Sequence, residues 1–314
     1  MFDRSTRILV VIDSSNFEYV CINNAVSNWE RDNSDESSTV LKEARETDQD
    51  NLPNLLNYNS FKRKLSESVQ RKFDYLKQIV RDNHRDCVDC ASGVDFVFVL
   101  DGKLSDNFRK KAYPQYKAQR KTQKKRYDPF VLKDYIQNVI FEEIGIERAG
   151  CRVVRENSCE CDDIVAVIME KYPDYMLRVL FSSDRDFLQL KDVEQYNCWG
   201  ERVSRTVPGV DGVVLSRSDF ILWKTIRGDV SDNIRNVFPK YGDKKSLNLV
   251  MDRNRLNAML KEDLSASERF KLNAFLINFK KIPNSLKKRV SEMLDEKLDF
   301  ESERRDVLDY GFVL

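Results

Sequence analysis

The chain predicts an α/β fold: a mostly parallel central sheet flanked by helices, followed by a helical C-terminal region. Three observations carry that prediction. Runs rich in Val, Ile, Leu and Phe alternate with helical stretches over the first two thirds of its 314 residues, which is the pattern of parallel strands covered on both faces. Strand-like runs stop after about residue 218. Several apolar runs end on an acidic residue, where ligands of an α/β sheet bind, beyond the carboxyl ends of the strands.

In chain order, strands are expected at 7–13, 95–101, 151–155, 178–183 and 195–199, with a weaker one at 212–215. Helices are expected at 61–83, 106–120, 129–146 and 160–172, then at 218–227, 244–260, 266–280 and 284–297. This divides the chain into an α/β body over 1–217 and a helical region over 218–314. Residues 30–60 break the pattern: within 30–50, eight acidic residues meet only Arg31, Lys42 and Arg45, and the segment reads as a mobile polar insertion.

Composition sets bounds. Hydrophobic residues at 41% and charged residues at 33% describe a soluble globular protein, and no apolar run approaches the roughly 20 residues that span a bilayer. No signal peptide is visible before the first strand. Seven scattered cysteines suit reduced thiols in a cytoplasm. Cys87-x-x-Cys90 near His84 admits a zinc site, but a second ligand pair is missing, and ordinary turn and core cysteines are the plainer reading. One histidine is too few for nucleases with several histidine ligands, so a nuclease built on this chain relies on carboxylates and metal.

Charge is unevenly placed despite a formal net of +1. Between 101 and 126, ten basic residues face only Asp101 and Asp106, with Tyr113, Pro114 and Tyr116 interleaved. Such a run is usually a solvated helix face. Beginning as it does at a candidate metal ligand, it is expected to grip a phosphate backbone.

The acids fall in five groups: Asp13 after Ile8–Ile12, Asp101 after Phe96–Leu100, Glu160-Cys161-Asp162-Asp163 opening a helix, Asp184-x-Asp186 after Val179–Phe181, and Asp229 with Asp232. Glu160 and Asp163 share a helical face that Asp162 does not, so all three serve one cluster only in the first turn, where N-capping is the bland alternative. A carboxylate cluster repels itself unless hard cations neutralise it, and all-oxygen ligands suit Mg²⁺ or Mn²⁺.

These blocks, with Val11-Ile12-Asp13-Ser14-Ser15-Asn16, Asp101-Gly102-Lys103, Tyr113-Pro114-Gln115-Tyr116-Lys117-Ala118-Gln119-Arg120 and Gly228-Asp229-Val230-Ser231-Asp232-Asn233-Ile234, resemble the structure-specific 5′ nucleases, or flap endonucleases. The segment 276–283 looks like the C-terminal helices of the T-even-type phage ribonuclease H. The resemblance implies a PIN-like 5′ nuclease core and a helix–three-turn–helix over 228–250. It implies two Mg²⁺ ions, with Mn²⁺ substituting. Asp13, Asp101, Glu160 and Asp162 would gather one, and Asp184, Asp186 and Asp232 the other, with Asp163 and Asp229 in support. Lys117, Arg120 and Arg109 would meet the charge of the scissile phosphate. Lys103, Lys110, Tyr116, Lys121, Lys240, Gly242, Lys244 and Lys245 would contact DNA; Tyr116 could equally pack in the core. Phe17 and Tyr19 lie near enough to the site to stack on a terminal base, though a core role is the stronger expectation. Lys240 stands where the family's turn has a glycine, which puts that family's monovalent-cation site in doubt.

The implied activity is a 5′→3′ exonuclease and flap endonuclease that removes RNA primers and adjacent DNA from lagging-strand fragments. Its substrates would be branched or nicked duplex DNA and RNA–DNA hybrids. The enzyme would be a monomer partnered by a sliding clamp or single-strand-binding protein, for which the apolar tail 307–314 is a docking candidate. A non-catalytic DNA-junction binder and a PIN-type RNA endonuclease are the alternatives.

Overall fold

The computed structural model describes residues 3–34, 40–41, 52–102, 107–122, 125–146 and 150–298. Five strands, β1 (Arg7–Asp13), β2 (Gly93–Val99), β3 (Arg152–Val154), β4 (Leu177–Phe181) and β5 (Glu194–Tyr196), form one sheet in the order β3-β2-β1-β4-β5 with every pairing parallel. From β1 the chain steps outward through β2 to β3 and then returns to the other side of β1. The strand order therefore reverses between β1 and β4, and a crevice opens at their carboxyl ends.

The run of buried residues in β1 has a simple cause. Ile8, Val10 and Ile12 face a cluster formed with Phe17, Trp29, Phe61, Leu65 and Phe73, while Leu9 and Val11 face a second cluster with Ile164, Ile168 and Val290. Both faces are covered, so no alternation of polar residues survives. Full burial of side chains such as Phe17, Phe98 and Phe181 stabilises the fold by about 2 kcal/mol each.

Helix α1 (Ser14–Asp32) follows β1 directly, capped by Asp13. Helix α2 (Asn59–Asn83) presents Phe61, Leu65, Val69, Phe73, Leu76 and Val80 at helical spacing to the same face. Then come α3 (Arg85–Cys90), α4 (Phe108–Ala112) and α5 (Pro129–Tyr135), the last continuing through a π turn, Ile136–Ile140. Helix α6 (Cys161–Lys171) and α11 (Asn284–Lys297) cover the opposite face. Between them, α7 (Arg217–Arg227), α8 (Asp243–Met251), α9 (Arg253–Glu262) and α10 (Leu264–Ile277) build a smaller core around Phe220, Trp223, Ile226 and Leu249. Among the described residues no helix is long and apolar enough to cross a membrane.

Several expectations are corrected. A helix over 106–120 does not form: α4 ends at Ala112, Pro114 lies in a turn, and a 3-10 turn spans Ala118–Thr122. Proline disfavours helical backbone in the residue before it and supplies no donor, which breaks the run. The stretch 244–260 is two helices, because Asp252 leaves helical geometry and caps α9. The weak strand at 212–215 is half of an antiparallel hairpin, β6 (Thr206–Val207) with β7 (Val210–Val214). The polar insertion is anchored at both ends: α1 runs to Asp32, and Leu41 and Leu55 are buried in the main core. Residues 35–39 and 42–51 of that insertion, and the tail 307–314, lie outside the described residues. Cys87 and Cys90 ride on α3, not on a turn, and His84 pairs with the Tyr196 hydroxyl at 3.2 Å.

Candidate metal centre and phosphate-facing groups

Asp13 ends β1, 5% exposed, beside the reversal in strand order. Ser182, at the end of β4, donates to its Oδ2 at 2.7 Å, and the Asn16 amide donates to Oδ1 at 3.2 Å. Burial first, and repulsion from Asp101 and Asp184, push the Asp13 carboxyl up to about 6 against the pull of these donors. Asp101 lies just past β2. Its Oδ1 accepts from the Cys161 amide at 2.8 Å and its Oδ2 accepts from the Ser15 hydroxyl. Gly102 follows, donating to the Cys159 carbonyl at 2.9 Å. A Cβ at 102 would come within 2.6 Å of that carbonyl oxygen and closer still to that of Glu156, so only glycine fits.

The four residues 160–163 fall where the spacing requires. Glu160 is the N-cap of α6, and Asp162 and Asp163 occupy its first turn. Asp163, fully buried, accepts the Glu160 amide at 3.3 Å and is ion-paired with Arg109 at 2.8 Å. Burial raises the Asp163 carboxyl despite that partner. Glu160 also suffers burial, but Lys117 and Arg109 outweigh it and hold the carboxyl below its ordinary value. At Asp162 Lys117 is outweighed: burial, then Asp184, push the carboxyl well up, with Glu160 and Asp13 adding to the effect.

Asp184 caps the 3-10 turn Arg185–Gln189 and accepts the Asp186 amide at 2.8 Å. Burial raises it, with Lys224 and Lys117 pulling the other way. Burial also raises Asp232, against Lys117. Asp229 goes the opposite way: Lys224 and the Ser231 donors overcome burial and hold it at about 2. Gly228 precedes it with φ 71°, and a Cβ there would strike the Ile234 and Arg235 carbonyls. That close approach closes the 229–234 turn through paired Asp229 and Ile234 amides.

Asp13, Asp101 and Asp184 follow the adjacent parallel strands β1, β2 and β4, and the bond from the Cys161 amide to Asp101 brings the start of α6 beside them, so acids distant in sequence line one bowl. Two lysines reach into it. Lys117 sits between Glu160, which it touches, and Asp232 at 3.8 Å. Its backbone is left-handed (φ 55°), and its amide donates to the Asp232 carbonyl at 3.0 Å. Burial would lower the ammonium, but Glu160 and Asp232 raise it above its ordinary value. Lys224, on α7, bridges Asp186 and Asp229. Arg120 reaches Asp232 Oδ1 at 2.9 Å with about half its side chain exposed.

Two expected roles change. Arg109 is 3% exposed and spends its donors on Glu160, Asp163 and the Leu276 carbonyl, so it braces the acids from below and does not face a phosphate. Tyr116 is 4% exposed in a small cluster with Ile234, Leu276 and Ile277, and its hydroxyl donates to Glu160 at 3.0 Å; no face is free for a base. Phe17 is core, packed edge-on to Phe98, whereas Tyr19 is exposed. Lys110 is half-buried on α4. Lys240, Gly242, Lys244 and Lys245 are exposed at the turn leading into α8, and Lys240 adopts φ 65°, the geometry of the glycine it replaces. Lys103 and the Lys121 side chain lie outside the described residues. Sequence reasoning missed Lys224, Ser182 and Ser15. A lysine at the end of an amphipathic helix and serines beside strand ends carry no signal of their own.

The donor set fits hard divalent cations: all oxygen, anionic, and short of compensating charge at Asp13 and Asp162. Among the described residues no three of these side chains already converge as a formed metal site; the two lysines stand between them.

Fold and site thus define an α/β protein with an acidic crevice where the strand order reverses. The profile of the 5′-3′ exonuclease N-terminal resolvase-like domain matches residues 57–210. A "5′-3′ exonuclease" of Mycoplasmopsis pulmonis (strain UAB CTIP) is 26% identical over 157 residues, 49% of this chain and 50% of the relative, so the match spans about half the relative's length. A T5 protein co-crystallised with metal ions superposes with TM-score 0.59 at 16% identity, covering 94% of this chain and all of that one. T5 5′-exonuclease with bound zinc gives 0.58 at 14%, covering 93% and 99%. Bacteriophage T5 flap endonuclease, in a pseudo-enzyme-product complex with DNA and metal ions, gives 0.54 at 14%, covering 92% and 98%. Residues 57–210 thus carry a 5′-3′ exonuclease N-terminal, resolvase-like domain, and the comparisons indicate a nuclease of the hydrolase class.

Proposed function

We propose that the chain is a Mg²⁺-dependent 5′→3′ exonuclease and flap endonuclease that removes RNA primers and adjacent DNA in phage-type replication, with Mn²⁺ able to substitute. The observation that carries this reading is the row of acids beside the reversal in strand order: Asp13, Asp101 and Asp184 follow β1, β2 and β4, Glu160 and Asp162 open α6, and Lys117 from the basic segment pairs with Glu160.

Asp13, Asp101, Glu160 and Asp162 would hold one ion and Asp184, Asp186 and Asp232 the second, with Asp163 and Asp229 in support. Bound there, the ions supply a polarised phosphate and a deprotonated water. The chain's own contribution is positioning and charge. Lys117 and Arg120 would meet the charge of the scissile phosphate, and each pairs here with a carboxylate that metal would claim. Lys110, Lys240, Gly242, Lys244 and Lys245 would follow the backbone of the duplex, the last four as part of a helix–three-turn–helix. Branched or nicked duplexes and RNA–DNA hybrids are the substrates proposed, for a monomer working beside a clamp or single-strand-binding protein.

A flap duplex labelled at its 5′ end tests the reading. Cleavage in Mg²⁺ that EDTA abolishes is expected, and Asp184→Asn should stop it while leaving binding nearly intact. Tight binding without cleavage in Mg²⁺ would mark a junction binder instead.

A further inference from the structure

Beside Asp101, a line of polar groups runs from the surface to the buried Glu18 and has no part in the reading above. Glu18, in the second turn of α1, is fully buried. Gln137 on the π turn donates to its Oε1 at 2.7 Å, and Arg155 in turn donates to Gln137. Lys133, on α5, lies 3.7 Å from the Glu18 Oε2 and donates to the Ser15 Oγ at 3.0 Å. Ser15 then donates to Asp101 Oδ2.

The direction of each bond is fixed by chemistry. An ammonium only donates, so Ser15 must receive Lys133 on a lone pair. A serine has one proton, and with that lone pair engaged the proton is left for Asp101. The Cys161 amide holds the other oxygen of Asp101 at 2.8 Å. Each carboxylate oxygen is therefore pinned by one donor, and its remaining lone pairs stay open. An ordinary buried ion pair would need no serine in between and no second partner on Asp101.

We propose that Lys133, held by Glu18, is a positioning residue for Asp101, acting through the Ser15 hydroxyl to fix the carboxylate in the orientation that receives a divalent cation. The proposal rests on Asp101 being a metal ligand, as in the reading above. Hydrogen-bond partners that orient ligating carboxylates commonly contribute 10- to 100-fold in metal affinity.

The test is Mn²⁺ titration of the full chain by calorimetry, without nucleic acid. Lys133→Met and Ser15→Ala should each weaken Mn²⁺ binding by about 10-fold. The double variant should be no weaker than Ser15→Ala alone, because both act along one path. Ser15→Thr, which keeps the hydroxyl, should retain wild-type affinity. Unchanged affinity in Ser15→Ala, or fully additive losses in the double variant, would overturn the relay; if Lys133→Met fails to fold, the Ser15→Ala and Ser15→Thr pair decides alone. Asp101→Asn separates the two readings: if it too leaves Mn²⁺ binding unchanged, the ligand assignment fails, whereas a loss there with none in Ser15→Ala sinks only the relay.

Discussion

Lys224 and Asp229 lie five residues apart, yet they meet: α7 ends between them, the Gly228 turn reverses the chain, and the ammonium comes to 2.9 Å from Oδ2 while also touching Asp186. A protein cation thus occupies the space between Asp186, a proposed ligand of the second metal, and Asp229, proposed in support. Lys224→Met should lower metal-free stability by about 3 kcal/mol, since the acids lose a partly buried partner. The gain in melting temperature on adding Mg²⁺ should then exceed that of the wild type. An identical gain would show that lysine and metal do not compete.

Lys117 combines a left-handed backbone with an ammonium buried among carboxylates. Lys117→Ala should cut the single-turnover cleavage rate by on the order of 10²-fold with little change in KM. Lys117→Gly should be equally slow yet more stable than the alanine variant, because glycine accepts φ 55° without strain. A loss confined to affinity and its salt dependence would assign Lys117 to backbone binding.

Arg109 should behave as a brace. Arg109→Met leaves Glu160 and Asp163 buried without their shared partner and should cost roughly 3–5 kcal/mol of stability. The salt slope of DNA binding should not move. A slope lower by about one would mean that the guanidinium does reach a phosphate.

The acids also predict a pH response. Asp13 is pushed up to about 6 by burial, and Asp162, Asp184 and Asp232 are raised with burial as the first cause. Carboxyls titrate near 4 when unfolded, so between about pH 4 and 6 the native state binds more protons and stability falls as pH rises. Glu160 and Asp229, held low by their cations, act in the opposite sense, but on the acid side of that window. Melting curves without metal should drift down from pH 4 to 6. Saturating Mg²⁺ should reverse the trend, because metal binds the deprotonated groups. A flat profile in both conditions would deny the clustering.

Much of this was legible in the sequence because strand ends and helix starts are local signals. Asp13, Asp101 and Asp184 each follow an apolar run, and Glu160 opens a periodic one, so their convergence needs only parallel strands and the usual crossovers. What escaped was tertiary. Whether a basic residue faces solvent or acid depends on the packing of distant segments, so Arg109 read as a phosphate contact although its guanidinium donates to the Leu276 carbonyl, and Tyr116 was left open between base and core until Leu276 and Ile277 covered it. Lys224 passed unnoticed because nothing local marks the Asp186 it meets.

Gly102 has room for no atom beyond a hydrogen, and through it the end of β2 is riveted to the loop that launches α6. Asp101 on one side and Glu160–Asp163 on the other therefore shift as a single body. Engineering can retune the lysines around the bowl one at a time, but the seam at 102 offers no adjustment: alanine there would wedge the two halves of the anionic floor apart together.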